Sequence, residues 1–143
     1  MKISKISKVK EEDKEFIHDI LIDYMDSVKK DWNYVTPEEL YKNTDKYFLL
    51  DIRDEETYKK GHIKNTENIF WQDLLDKKNL DKLPEDKTII LICYVGHTAS
   101  QMLVALKLLG YKVKVLKFGM GISPVKGVPV AGWLDYGYEV EKG

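Results

Sequence analysis

The chain has 143 residues, 43% hydrophobic and 33% charged, which suits a single domain over 1–143 with a sizeable core. Its 23 Lys and Arg nearly cancel its 24 Asp and Glu, so it carries no electrostatic footprint for nucleic acid or an anionic membrane. A lone cysteine rules out an internal disulfide; no apolar run is long enough for a membrane span, and the start lacks a signal-peptide core, so a cytoplasmic setting is the default expectation.

In chain order, residues 9–32 read as an amphipathic helix. Phe16, Ile20, Tyr24, Val28 and Trp32 recur every fourth position, with Ile17, Leu21 and Met25 alongside, and the expectation is that this stripe packs into the core. Acidic residues at its start and Lys29 and Lys30 at its end match the helix dipole. "TPEEL" opens a short helix with Thr36 as N-cap, Pro37 in the first turn and Glu39 closing a capping box. "YFLLDIR" is a short apolar run of the kind found in buried strands. "DEETYKKG" predicts two helical turns stopped at Gly61, and "WQDLLDKK" a further helical stretch.

The strongest unit follows. "TIILIC" is a continuous β-branched strand, "YVGH" a turn, "TASQMLVALKLLG" a helix ending at Gly110, and "YKVKVLKF" another strand. Strand, helix, strand with a short turn is a βαβ unit and implies parallel pairing. The tail is rich in Gly and Pro, with a small helix or turn at "GWLDYG". The expected fold class is therefore α/β: a parallel sheet of about four or five strands, helices on both faces, and an N-terminal amphipathic helix. Ligands in such sheets bind beyond the carboxyl ends of the strands, where Asp51 and Cys93 both fall.

"CYVGHTAS", residues 93–100, holds the chain's one thiol at a strand end. Cys93 is either a small buried filler or a presented nucleophile. In general a helix N-terminus favours the thiolate, because unpaired N–H groups and the positive dipole end face it. With Cys93 about five residues ahead of its helix, the turn must curl into a cup, and Gly96 permits the bend. Thr98 and Ser100 are expected to cap the helix or donate to an anion in the cup. Phosphoryl transfer on such a loop calls for a guanidinium, and residues 93–100 contain neither Arg nor Lys. A tight, uncharged cup suits a single outer sulfur atom better than a tetrahedral phosphoryl group. Sulfur transfer is the favoured chemistry.

Four segments, "LLDIRDEETYKKGHI", "NIFWQDL", "IILICYVGHTASQ" and "GWLDYGYEVE", together resemble the rhodanese-like domain family over about residues 36–141. The first resembles the D-x-R…Y…G-H-I signature through Asp51, Arg53, Tyr58, Gly61, His62 and Ile63; the third resembles the active loop C-x-x-G-x-T-A. The resemblance implies a sulfurtransferase of the thiosulfate:cyanide type that carries a persulfide on Cys93. It implies an anion loop made by the backbone N–H groups of Tyr94, Val95, Gly96, His97 and Thr98, with no cofactor and no metal. The implied partners are a small sulfane-sulfur donor, such as thiosulfate, and a thiol or cyanide acceptor, which could be a protein thiol. With one cysteine there is no internal resolving thiol. A non-catalytic binding or sensing module on the same fold is the alternative. Two departures stand out: Thr98 where many relatives carry Arg, and an apparent insertion, "ISPVKGVPVA", between "FGMG" and Trp133.

Supporting roles are assigned as follows. Asp51 is expected to hold the loop structurally, and Arg53 either attracts an anionic donor or pairs with Asp54, Glu55 or Glu56. His62 is expected as a packed turn residue, while His97 lies within the loop. Trp71 and Tyr94 either wall a pocket or simply pack.

Overall fold

The computed structural model describes residues 9–121 and 132–143, so the apparent insertion at 122–131 lies outside the described residues. The chain divides into two units, Met1–Trp32 and Asn33–Gly143. The first contains helix α1, Glu11–Lys30, with Glu11, Glu12 and Asp13 in its first turn and Lys29 and Lys30 in its last. No residue of α1 is buried, and Phe16 is 66% exposed. Periodicity orders apolar side chains on one face, but a solitary helix has nothing of its own to cover them.

The second unit is built on five parallel strands: β1 (Tyr34–Val35), β2 (Phe48–Asp51), β3 (Thr66–Asn68), β4 (Ile89–Ile92) and β5 (Val113–Leu116). Their order across the sheet is β1-β5-β4-β2-β3. Helices α2 (Pro37–Asn43), α3 (Glu55–Lys60), α4 (Lys77–Leu80) and α5 (His97–Leu108) connect them. The central strand β4 is entirely buried, which accounts for its unbroken apolar run. Alternate residues feed two layers. Leu49, Ile90, Ile92 and Leu116 join Leu40 of α2, Met120 and Trp133 in one core. Leu50, Ile89, Leu91, Leu103 and Leu106 are buried too, and α5 packs on β4 and β5. The step from β4 to β5 runs opposite across the sheet to the step from β2 to β3. Right-handed crossovers therefore put α5 and α3 on opposite faces.

Local signals explain most element ends. Thr36 Oγ1 accepts from Glu39 N–H while Glu39 answers to Thr36 N–H, the capping box foreseen at α2. Beyond α5, Gly110 takes φ +93 and closes the helix through Gly110 N–H to Lys107 O and Tyr111 N–H to Leu106 O. The stretch expected as one helix at 71–78 is instead a 3-10 turn, Trp71–Asp73, followed by α4. Strands β1 and β3 were not foreseen. They are two and three residues long and carry no apolar run, so only pairing to β5 and β2 makes them strands.

Two features hold the carboxyl edge of the sheet. The first is a fully buried ion pair: Arg53 donates through Nη2 to Asp51 Oδ2 at 2.7 Å and through Nε to Oδ1 at 3.0 Å. Arg53 Nη2 also reaches Gly61 O at 2.9 Å, and Asn68 Nδ2 donates to Asp51 O and Arg53 O. Chain turns at 51–53, 61 and 68 are thus tied together. Arg53 does not pair with Asp54, Glu55 or Glu56 as the sequence suggested, because its guanidinium folds back across the strand end to its i−2 neighbour. Glu55 and Glu56 pair with Lys59 and Lys60 instead.

The second feature is the turn after β5. Met120 N–H donates to Cys93 O at 2.9 Å, and Gly121 N–H to Tyr94 O at 3.0 Å. Gly119 precedes them at φ +54, where a Cβ would fall 2.3 Å from Cys93 O. The chain leaves the described residues at Gly121 and re-enters at Gly132, and these two glycines touch: a Cβ on Gly132 would lie 2.2 Å from Gly121 N.

Two stability predictions follow from this edge. Asp51→Asn leaves the buried guanidinium uncompensated and should cost about 3–5 kcal/mol in urea unfolding; a loss below about 1 kcal/mol would show that the pair is not structural. Gly119→Ala should cost at least about 2 kcal/mol, whereas Gly110→Ala, also at positive φ (+93) but with open space around it, should cost about 1 kcal/mol. Equal losses would mean that the close approach to Cys93 O carries no weight.

Candidate active site

Cys93 is the first residue past β4, and α5 begins at His97. The helix is closer than the sequence suggested: three residues separate them, because Tyr94, Val95 and Gly96 complete the turn at once. Gly96 makes this possible. It occupies the N-cap at φ +95, and a Cβ there would meet Phe118 N at 3.5 Å.

The turn aims main-chain donors at the thiol. Gly96 N–H donates to Cys93 Sγ at 3.1 Å and Ala99 N–H at 3.4 Å. Cys93 is 2% exposed, so these donors act where little water competes. Of the loop residues expected to supply N–H groups, Gly96 donates to Sγ; the second donor, Ala99, lies outside that set. It is the third residue of a helix of 12, within the turn whose N–H groups have no intrahelical acceptor. This identifies the cup as the first turn of α5 rather than a free loop.

The remaining residues sort by position. Ser100 does not cap α5 and does not face the sulfur: its Oγ donates to Gly96 O at 2.7 Å and pairs with Tyr34 Oη at 3.0 Å. No side-chain cap forms at this helix start, Thr98 included. His97 is exposed at the first helical position. Asp51 and Arg53 are buried together and support the strand end, not the sulfur. Trp71 N–H donates to Ile52 O, and its half-buried ring meets Phe70 edge-on at 6.1 Å. His62 is the packed turn residue expected. Its Nδ1 lies 3.0 Å from Tyr58 O, and its ring stacks on Tyr58 at 3.8 Å.

Two residues to which the sequence assigned no part in the loop, Asp54 and Thr57, support it. The Tyr94 hydroxyl donates to Asp54 Oδ2, and Thr57 donates to the same carboxylate through N–H at 2.8 Å and Oγ1 at 2.7 Å. Asp54 is thereby the N-cap of α3 and the anchor of the loop at once. The Tyr94 hydrogen bond, with those from Thr57, holds its carboxyl at about 2, well below its ordinary 3.8. Burial, then the Asp54 hydrogen bond, pushes the Tyr94 phenol up. Acid therefore weakens this link only as pH falls from 3.8 toward 2; above that range the carboxylate is charged and the link complete. The signal available in sequence was "DEET", an Asp three residues before a Thr at a helix start. The β5 turn was visible only as two glycines around Met120. Beside α3 lies an open cleft of about 410 Å³ lined by Glu55, Tyr58, Lys59, Asn68, Phe70 and Gly143. Among the described residues no group of three or more His, Cys, Asp or Glu converges as a metal site would, and no helix is long and apolar enough to cross a membrane.

Comparison with known proteins places these features in a family. The model of the rhodanese-like domain matches residues 36–121. A tRNA sulfurtransferase of Pyrobaculum aerophilum is 36% identical over 69 residues, covering 48% of this chain and 14% of that protein. An adenylyltransferase and sulfurtransferase of Yarrowia lipolytica is 29% identical over 87 residues, 60% of this chain and 22% of that protein. The chain thus spans a small part of both relatives. Among solved structures, a rhodanese-related protein of Thermoplasma volcanium superposes with a TM-score of 0.63 at 26% identity, covering 76% of this chain and 97% of that one. A Bacillus halodurans protein reaches 0.66 at 23% identity, covering 84% of each chain, which speaks to the fold alone. A parallel sheet in this strand order, with its one cysteine under the first turn of α5 and a family match across most of Asn33–Gly143, has one assignment: the chain belongs to the rhodanese-like domain family.

Proposed function

We propose that the protein is a sulfurtransferase that carries sulfane sulfur on Cys93. The observation that supports this most is the convergence of Gly96 N–H and Ala99 N–H on the Sγ of the only cysteine. Two main-chain donors and the positive end of α5 stabilise negative charge on sulfur, and they do so without reorganising as charge appears.

The chemistry balances without a cofactor. The Cys93 thiolate attacks the outer sulfur of a donor such as thiosulfate; the S–S bond of the donor breaks, sulfite leaves, and Cys93–S–S⁻ remains. An external thiolate or cyanide then attacks the outer sulfur, leaving as a persulfide or thiocyanate and restoring the thiolate. The acceptor comes from outside because no second cysteine exists to resolve the persulfide. The amides of the 94–98 turn are the anion loop in this reading, Asp51 and Arg53 set the strand end, and Met120 and Gly121 fix the main chain of Cys93 and Tyr94. The relatives named as sulfurtransferases favour the same chemistry, although each is far longer than the matched segment.

A non-catalytic sulfur- or redox-sensing module is the second reading. The near-complete burial of Cys93 and the absence of Arg or Lys from residues 93–100 favour it. Intact mass spectrometry after incubation with thiosulfate or an organic thiosulfonate separates the two. A catalyst should gain one sulfur at Cys93, lose it on adding cyanide with thiocyanate released, and fall to background as Cys93→Ser. Thiocyanate release at equal rates from both proteins would sink the enzyme reading; a sulfur adduct that cyanide and thiols cannot remove would favour the sensor.

A further inference from the structure

The Tyr94–Asp54 contact has an electrostatic consequence for donor choice. In the sheet, Asp51 is in register with Ile92, and Ile52 N–H donates to Ile92 O. The chain segments that follow, 52–54 and 93–94, therefore leave adjacent strands at the same edge, and strands lie about 4.8 Å apart. Tyr94, the residue next to the nucleophile, closes the remaining gap to Asp54 with its hydroxyl.

Among the described residues no cation bonds to the charge held there; Lys60 is within electrostatic reach of it but is paired with Glu56. The donors to Asp54 are Thr57 N–H, Thr57 Oγ1 and Tyr94 Oη, all neutral. The other acids nearby are matched by cations: Asp51 by Arg53, Glu55 by Lys59 at 2.6 Å, Glu56 by Lys60 at 2.9 Å. On the loop itself, residues 93–100 offer no Lys or Arg, and His97 is exposed. Lys117, after β5, lies over the Phe118 ring at 5.6 Å. The carboxylate stays ionised at any working pH, since it titrates near 2.

We propose that Asp54, fixed beside the sulfur-bearing loop by the Tyr94 hydroxyl, is a specificity-determining residue that selects singly charged or neutral sulfane-sulfur donors over dianionic ones. This rests on the sulfur-transfer reading and names the donor class for the same site. In a largely water-like dielectric, one such negative charge disfavours each negative charge on the donor by roughly two- to fivefold. A dianion bears that factor twice.

Two donors of the same shape test it. Methanethiosulfonate carries one negative charge and thiosulfate two; in both, Cys93 S⁻ displaces a sulfur(IV) leaving group, methanesulfinate or sulfite, from the outer sulfur. The measurement is kcat/KM for each donor with cyanide as acceptor, at low ionic strength and at high salt. Asp54→Asn keeps an N-cap for α3 and an acceptor for Tyr94 while removing the charge; Asp54→Ser is a second capping replacement should the first fold poorly. Expected are a wild-type preference for the monoanion, a several-fold gain for thiosulfate in the variant with a smaller gain for methanethiosulfonate, and a wild-type preference that shrinks with salt while the variant's does not. A folded variant with an unchanged donor ratio overturns the proposal and leaves sulfur transfer standing. Equal changes for both donors at every salt also overturn it, because they report altered packing rather than charge. If neither donor loads Cys93 in the wild type, the functional reading falls, and this proposal with it.

Discussion

The Asp51–Arg53 pair is the constraint on which the carboxyl edge of the sheet depends. Both side chains are removed from water, at a desolvation cost of several kcal/mol per ion that only a close, multiply bonded geometry offsets. That geometry recruits the main chain. Arg53 holds Gly61 O beyond α3, and Asn68 holds Asp51 O and Arg53 O from β3. The pair therefore specifies where β2 stops and how the next segments leave it. Asp54 inherits its position from this arrangement, and the loop that bears Cys93 inherits its anchor from Asp54.

The turn that bears Cys93 is held on two sides by different means. On the β5 side the contacts are main chain to main chain: Met120 and Gly121 donate to the carbonyls of Cys93 and Tyr94, across a gap that only glycine at 119 fits. On the β2 side the contact is a side-chain link from Tyr94 to the cap of α3. With the carbonyls of Cys93 and Tyr94 satisfied, the turn is free to direct N–H groups inward. Gly96 and Ala99 then face the sulfur as a consequence of a strand ending three residues before a helix begins. The turn itself, residues 93–100, carries no Lys or Arg, so the groups it directs at the sulfur are main-chain N–H dipoles.

Burial at Cys93 and reactivity at Cys93 are compatible on this account. An inert buried thiol sits among hydrocarbon; this one has two N–H groups within hydrogen-bonding distance. Low exposure strengthens those contacts and narrows the route by which a donor or acceptor reaches the sulfur.

Much of this was legible in the chain. The run "TIILIC", the turn with Gly96 and the helix to Leu108 follow from local patterning, because a strand buried on both faces must be continuously apolar and a tight turn into a helix needs a residue tolerant of positive φ. So do the capping box at Thr36 and the candidate nucleophile. Tertiary structure alone decided the rest. Strands β1 and β3 exist only through their neighbours; α1's periodic stripe does not say what will cover it; Arg53 chose Asp51 over nearer-seeming acids because both project into the same dry space. The donors to Sγ, the Tyr94 link to Asp54 and the support from Met120 and Gly121 join residues 3 to 40 positions apart. Composition and periodicity describe each segment's own preferences. Which hydrogen-bonding groups meet across the edge of a sheet is set by strand order and register, and those are properties of the assembled fold.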